Sequence, residues 1–342
     1  MSHTDPDITA VRQLPPGTLE PTDESVSRTW YRLTARRTQR HRPRSPQRLL
    51  IPAAAGAVVV GLVIGAAVLL APGNGGPALQ PGAVPVLGVP TDVKTEMDRL
   101  IRAAERIEPL PLSDGELIYV HNEGVSTLLH GAGDSGVLEA EKHQMWLDPQ
   151  GMIPLRIIRN GKDFTKDTEN DHAAEVAQAR QQLTADGPSL LRPTPQWLAD
   201  LPTDPAVLRA QLLAAIGENS WSEEHRLVNG LVDLFVRVEP VLTPPVRVAF
   251  YRLLGDIDGT TAMEITVEGR VLVAIRHEEN GSATDLLFDP LTGRSAGRRS
   301  AVSSDDVRIS PAPGVDPATF DPTVLSQSIW THTIVSKVGQ TR

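Results

Sequence analysis

Residues 49–71, LLIPAAAGAVVVGLVIGAAVLLA, contain only Ala, Gly, Val, Leu and Ile apart from Pro52. No other feature limits the chain so strongly. As a helix rising about 1.5 Å per residue, the stretch spans roughly 34 Å, enough for a hydrocarbon layer of about 30 Å. A core helix of a soluble domain would keep a polar side, and this one has none. Pro52 falls in the first turn, where its missing N–H costs little. A secretory signal peptide predicts a short basic start, an apolar run of about 7–15 residues and small residues before the cut. Here 48 residues precede the run, and Leu69 occupies the position where a small residue is needed. The stretch therefore reads as a permanent transmembrane helix.

The flanks orient it. Eight arginines, from Arg28 to Arg48, lie within the 21 residues before the span, and the first basic residue after it is Lys94. The positive-inside rule places the N-terminus in the cytoplasm and the rest outside, so the expected localisation is the cell membrane, single-pass. Ala53, Ala57, Gly61 and Gly65 recur every four residues in the span. Such a ridge suits a homodimer packed through Ala57, Gly61 and Gly65, although an Ala- and Gly-rich composition produces similar ridges by itself.

Four segments follow from this division: a cytoplasmic tail over 1–48, disordered and then basic; the span at 49–71; a Pro/Gly linker at 72–92; and an extracytoplasmic domain at 93–342. Residues 1–71 hold 9 Arg against 5 acidic residues, a balance of +4, whereas 72–342 hold 24 basic against 37 acidic residues, a balance of −13. An acidic body argues against nucleic acid as its partner. The chain has no cysteine, which removes disulfides, thiolate metal sites and thiol catalysis from consideration.

Within 93–342, apolar residues at 93, 97, 100, 101, 104 and 107 form a helical stripe. GELIYVH (115–121) and VSTLLH read as strands, and HQMWLDPQGMIPLRIIRNG as two strands joined at Asp148-Pro149-Gln150-Gly151. Asp204 before Pro205 predicts a helix start, as does a capping-box pattern of Ser220 with Glu223. The second of these helices would turn Leu227, Leu231, Leu234, Phe235 and Val238 to one side. A third runs from Thr243-Pro244 to about Leu254, with Gly255 as its C-cap. Beyond Ile257 the alternation becomes that of strands, separated by Glu268-Gly269, Asn280-Gly281 and the 289–293 turn. The expected fold class is α+β, with antiparallel β-meanders packed against helices.

Gly115 with Tyr119 and Val120, the Leu201–Pro205 segment LPTDP, the Phe288–Gly293 segment FDPLTG and the Val338-Gly339-Gln340 ending carry a resemblance. The chain resembles a family of uncharacterised actinobacterial single-pass membrane proteins over most of residues 28–342. The resemblance implies the same order of tail, span and external α+β domain, no established activity, and a link to sigma-factor signalling.

Motifs of chemistry are few. GAGDSG (131–136) matches GxGxxG, but a dinucleotide fold needs a helix and a parallel strand next, where a hairpin is expected. The same residues hold the Gly-Asp-Ser-Gly of chymotrypsin-like proteases around Ser135, yet the external residues before it hold only His121 and His130, without matching context. A loop between strands is the simpler reading. The nine histidines show no metal spacing, His225 has no second ligand at helical distance, and His332 alternates with Trp330 and Ile334 as a structural strand residue. Glu278-Glu279 and Asp305-Asp306 read as solvated surface. No catalytic, cofactor-binding or metal residues are therefore assigned, and the chain is not read as an enzyme. The expected function is an anchored external domain for binding or sensing a protein partner or apolar ligand, with ties to sigma-factor or envelope signalling. A tethered envelope scaffold is the alternative, and a membrane-anchored hydrolase a more distant one. The hydrolase would need Ser, His and a carboxylate mutually hydrogen-bonded in a cleft.

Overall fold

The computed structural model describes residues 87–129, 135–166, 172–302, 308–310 and 319–342. The transmembrane span, the tail and the Ala57/Gly61/Gly65 ridge lie outside the described residues, as do Gly131–Asp134 and Asp305-Asp306. Among the described residues, no helix is long and apolar enough to cross a membrane.

The described chain is α+β, built on one sheet of eleven strands. Short β1 (Val89–Thr91) leads into helix α1 (Val93–Ala104). A first meander follows: β2 (Leu117–Leu129), β3 (Ser135–Asp148), β4 (Ile153–Arg159) and β5 (Lys162–Asp163). Five helices come next: α2 (His172–Asp186), α3 (Pro195–Ala199), α4 (Pro205–Ile216), α5 (Glu223–Val238) and α6 (Pro244–Gly255). A second meander holds β6 (Thr261–Val267), β7 (Arg270–Glu279), β8 (Ser282–Phe288) and β9 (Ser295–Val302), before β10 (Arg308–Ser310) and β11 (Val324–Val335).

The strand order is β1-β6-β7-β8-β9-β11-β2-β3-β4-β5, antiparallel throughout, with β10 added parallel to β3. Strand β11 thus joins the two meanders, pairing with β9 on one side and β2 on the other. Glycines permit this join. A Cβ on Gly124 of β2 would fall on the Gln327 carbonyl oxygen, and one on Gly297 of β9 on the Ser328 carbonyl oxygen. Neither position has room for a side chain.

Helix starts are set by side-chain caps. Asp92 accepts from the Thr95 N–H at 2.8 Å, and Asp204 from the Ala206 and Val207 N–H groups, with Pro205 at the first helical position. The cap of α5 is Ser222, not Ser220: its Oγ accepts from His225 N–H at 3.1 Å. Two further boundaries differ from the sequence reading. Val89–Thr91, inside the 72–92 linker, forms an edge strand on β6, and α6 runs through Gly255 to an Asp256 cap. The strands expected at 115–121 and after it form one continuous strand, β2.

The main core lies between the helices and one side of the sheet. Leu227, Leu231, Leu234, Phe235 and Val238 of α5 are all buried there, with Val273 and Ile275 of β7 and Phe250 and Tyr251 of α6. Burying each large apolar side chain is worth about 1.5–3 kcal/mol, so this layer dominates the stability of the domain. The other side of β7 and β8 carries a smaller cluster around Leu272, Ala274 and Leu287. Beside it sits a buried ionic group: Asp285 accepts from Arg276 Nε at 2.7 Å and Nη2 at 3.1 Å, and from Arg299 Nε at 2.7 Å.

Candidate functional site

The C-terminal half of α1 carries Arg99 and Arg102, three residues apart on one helical side, and the turn that ends the helix adds Arg106. Opposite them is the turn after β8. Asp289 Oδ1 accepts from the N–H groups of Leu291 at 2.9 Å and Thr292 at 3.1 Å, and Gly293 N–H donates to the Asp289 carbonyl at 2.7 Å. Gly293 adopts φ +70°, and a Cβ there would stand 2.7 Å from that of Ala103. Tyr251, fully buried, donates its hydroxyl to the Gly293 carbonyl at 2.6 Å. The FDPLTG segment is thus pressed onto α1 by a close approach that only glycine allows.

Between helix and turn lies an open cleft of about 570 Å³, lined by Arg99, Arg102, Arg106 and Arg294 with Ile107, Glu108 and Leu291 among the other walls. Two of its arginines are held from behind. Arg294 donates to Glu239 at 2.9 Å and to the Glu108 carbonyl at 3.1 Å, while Arg99 pairs with Glu96 at 2.9 Å. Arg102 and Arg106 are exposed and have no ion-pair partner among the described residues. With Glu96 and Glu239 answering two guanidiniums and Glu108 in the wall, the exposed Arg102 and Arg106 leave the cleft mouth net positive on a body that is acidic overall. Leu291 projects at its rim, 90% exposed.

A second cluster sits where α5 meets the end of β7. His277 and Glu279 are two apart on β7, so they share the side of the sheet that carries Val273 and Ile275. His225, in the first turn of α5, comes down on them, and the imidazole and carboxylate atoms of the three residues lie within 4.8 Å of one another. Trp221 stacks on His225 with ring centres 4.3 Å apart. Burial lowers the His225 pKa; Glu279 opposes that effect and His277 adds to it. The Ser222 hydroxyl holds the Glu279 carboxyl below its usual range, helped by the Ser222 backbone N–H.

Ser222, His225 and Glu279 are the three residue types of a hydrolase triad, but the order is wrong. A nucleophile needs the imidazole between hydroxyl and carboxylate. Here the Ser222 hydroxyl donates directly to Glu279 and also accepts from the His225 backbone, so it is spent as a helix cap.

The solvated-surface reading of Glu279 is corrected by these contacts, because its side chain is only 20% exposed and bonded to Ser222. The observation that His225 lacks a partner at helical distance was true of the helix and missed the strand, since His277 is 52 positions away. A period of two, His-x-Glu ending a strand at an Asn-Gly turn, was the available signal. His332 is half-buried, its Nε2 2.9 Å from the Val236 carbonyl, which is a structural placement. His121 lies 2.9 Å from Glu123 in β2 and is not brought near Ser135 by any described contact. In comparison with known proteins, no family model matches the chain, and neither does any curated protein or solved structure.

Proposed function

We propose that this chain is a membrane-anchored binding protein whose external α+β domain takes an anionic partner in the arginine-lined cleft. The observation that carries the reading is the pair Arg102 and Arg106, uncompensated at the mouth of a cleft already walled by Arg99 and Arg294. An acidic domain gains nothing for solubility from such a concentration of like charge, and it costs mutual repulsion. An incoming anion relieves that repulsion, and guanidiniums bind carboxylate and phosphate through paired N–H donors. The cleft chemistry favours this over the apolar ligand expected from sequence. The anchor rests on the apolar run at 49–71, and the tail before it gives a bound state outside a route to the cytoplasm, in line with sigma-factor or envelope signalling.

Exposed Leu291 at the rim favours an acidic protein surface over a small anion, which is the envelope-scaffold version of the same site. The test is titration of the full chain in detergent with a poly-glutamate peptide and with inorganic polyphosphate. Saturable binding that weakens with salt and disappears on joint Arg102→Glu and Arg106→Glu substitution is expected. Binding of the peptide alone that also needs Leu291 supports the protein partner. Affinity untouched by the double charge reversal refutes the site.

A further inference from the structure

The geometry points to a transition-metal site, of the zinc class, formed by His225, His277 and Glu279. This cluster shares no residue with the arginine cleft and does not depend on it. His225 and His277 are 4% and 6% exposed. Nδ1 of His225 and both ring nitrogens of His277 are buried with no hydrogen-bond partner. A buried polar nitrogen without a partner is costly, and three in one place call for a ligand that the protein itself does not supply. One ring nitrogen of each histidine lies within 4.8 Å of a Glu279 carboxylate oxygen, with His225 Nδ1 4.0 Å from Oε2.

The donor set selects the ion. Two imidazoles and one carboxylate suit Zn²⁺ and its neighbours Co²⁺ and Ni²⁺, whereas Mg²⁺ and Ca²⁺ ask for oxygen ligands throughout. Metal–nitrogen bonds of about 2.0–2.1 Å in tetrahedral geometry put neighbouring donors roughly 3.4 Å apart. Donors already within 4.8 Å reach that arrangement by side-chain rotation, without moving α5 from the sheet.

The surroundings match those of a metal ligand shell. Ser222 N–H reaches the two Glu279 oxygens at 3.2 and 3.4 Å, so one oxygen can stay on the helix cap while the other turns to the ion. Trp221, 38% exposed, stacks on His225 and forms the wall toward solvent. Asn229 of α5 accepts from Thr284 Oγ1 at 3.1 Å one helical turn further along, which fixes the distance between helix and strand. Three protein ligands leave one position for water or a ligand atom from a partner. An ion here would fasten the start of α5 to the end of β7.

The test uses the untagged full chain in detergent, stripped with a chelator and titrated with Co²⁺. One Co²⁺ per chain is expected, giving a visible d–d band that Zn²⁺ displaces and Mg²⁺ does not. His277→Gln and Glu279→Gln should each weaken uptake at least about tenfold, the scale seen when a metal's supporting residues are removed. Glu279 is not fully buried and its amide keeps a bond to Ser222, so that variant remains informative if the buried His277 change prevents folding. His121→Asn should bind as the parent chain does. Zn²⁺ should raise the melting temperature of the parent and not of Glu279→Gln. Failure of the parent chain to take up Co²⁺ or Zn²⁺ at micromolar concentration overturns the site, as does uptake unchanged in both cluster variants.

Discussion

Asp285→Asn removes one charge and almost no volume, which makes it a clean probe of the buried ionic group behind the sheet. Asp285 is fully buried, Arg299 likewise, and the Arg276 side chain is 18% exposed. The carboxylate accepts three short bonds from these two guanidiniums, at 2.7, 3.1 and 2.7 Å. An amide offers one acceptor oxygen, and its NH₂ must face an N–H donor. Arg299 also approaches Asp321 at 3.8 Å and donates Nη2 to the Met263 sulfur at 3.0 Å, contacts weaker than the bond to Asp285. Removing one partner of a buried pair leaves uncompensated charge and costs about 3–5 kcal/mol, a large part of a stability of about 5–15 kcal/mol. With a urea slope of about 2–3 kcal/mol per molar, the unfolding midpoint should fall by roughly 1–2.5 M. Tryptophan fluorescence during urea unfolding of the full chain reads this out, because Trp146 and Trp330 are buried in the same sheet. Asp98→Asn is the comparison: its Lys94 pair at 3.0 Å is exposed, and its loss should cost under about 0.5 kcal/mol and vanish in high salt. A cost for Asp285→Asn below about 1 kcal/mol, or one screened by salt to the same degree as Asp98→Asn, would refute the reasoning.

Glu141 provides a pH test. Burial pushes its carboxyl up, but His143 Nε2 at 2.9 Å and Arg159 Nη2 at 2.6 Å outweigh it and hold the pKa at about 2. A depressed pKa stabilises fully above the unfolded value near 4.5 and loses its effect as pH falls toward 2, so Glu141→Gln should cost about 2–3 kcal/mol at pH 6 and almost nothing at pH 2. A difference that stays constant across that range in denaturant titrations would discard this account. Gly124→Ala should lose about 3 kcal/mol or more, because the new methyl group meets the β11 backbone and not a flexible side chain; a midpoint within error of the parent would be incompatible with that join. Ser222→Ala removes both the α5 cap and a Glu279 partner and should cost about 1–2 kcal/mol, measured by thermal melting, while Ser220→Ala leaves the melt unchanged.

What the sequence disclosed was local. The α5 stripe, Asp204 before Pro205, and the Glu268-Gly269 and Asn280-Gly281 turns were legible because their causes sit within a few residues: helical periodicity, a cap, or paired positive φ values of 52° and 74° at Asn280 and Gly281. The choice of Ser222 over Ser220 was not, because the competing serines differ only in which one meets Glu279, 57 residues away. The same holds for β1, an edge strand in a Pro-rich segment whose partner β6 lies some 170 positions later. The pairing of Arg276 and Arg299 is likewise not local, because Asp285 comes between them only when β8 is laid between β7 and β9. Of the candidate sites, the Arg99/Arg102/Arg106 spacing was visible but unaccompanied, since Arg294 joins it only through the turn seated on α1. His225 with His277 and Glu279 exists only after the helix is laid across the strand.

Because β11 is the strand between the meanders, the two halves of the sheet are joined only once residues 324–335 are in place. The Trp146 indole N–H, donating at 2.6 Å to the carbonyl of Gln340, ties the first meander to the segment that follows β11. The join is therefore made by a strand that comes after both meanders in the chain, and a cut within β11 leaves two unclosed meanders with exposed edges in place of one slightly shortened domain.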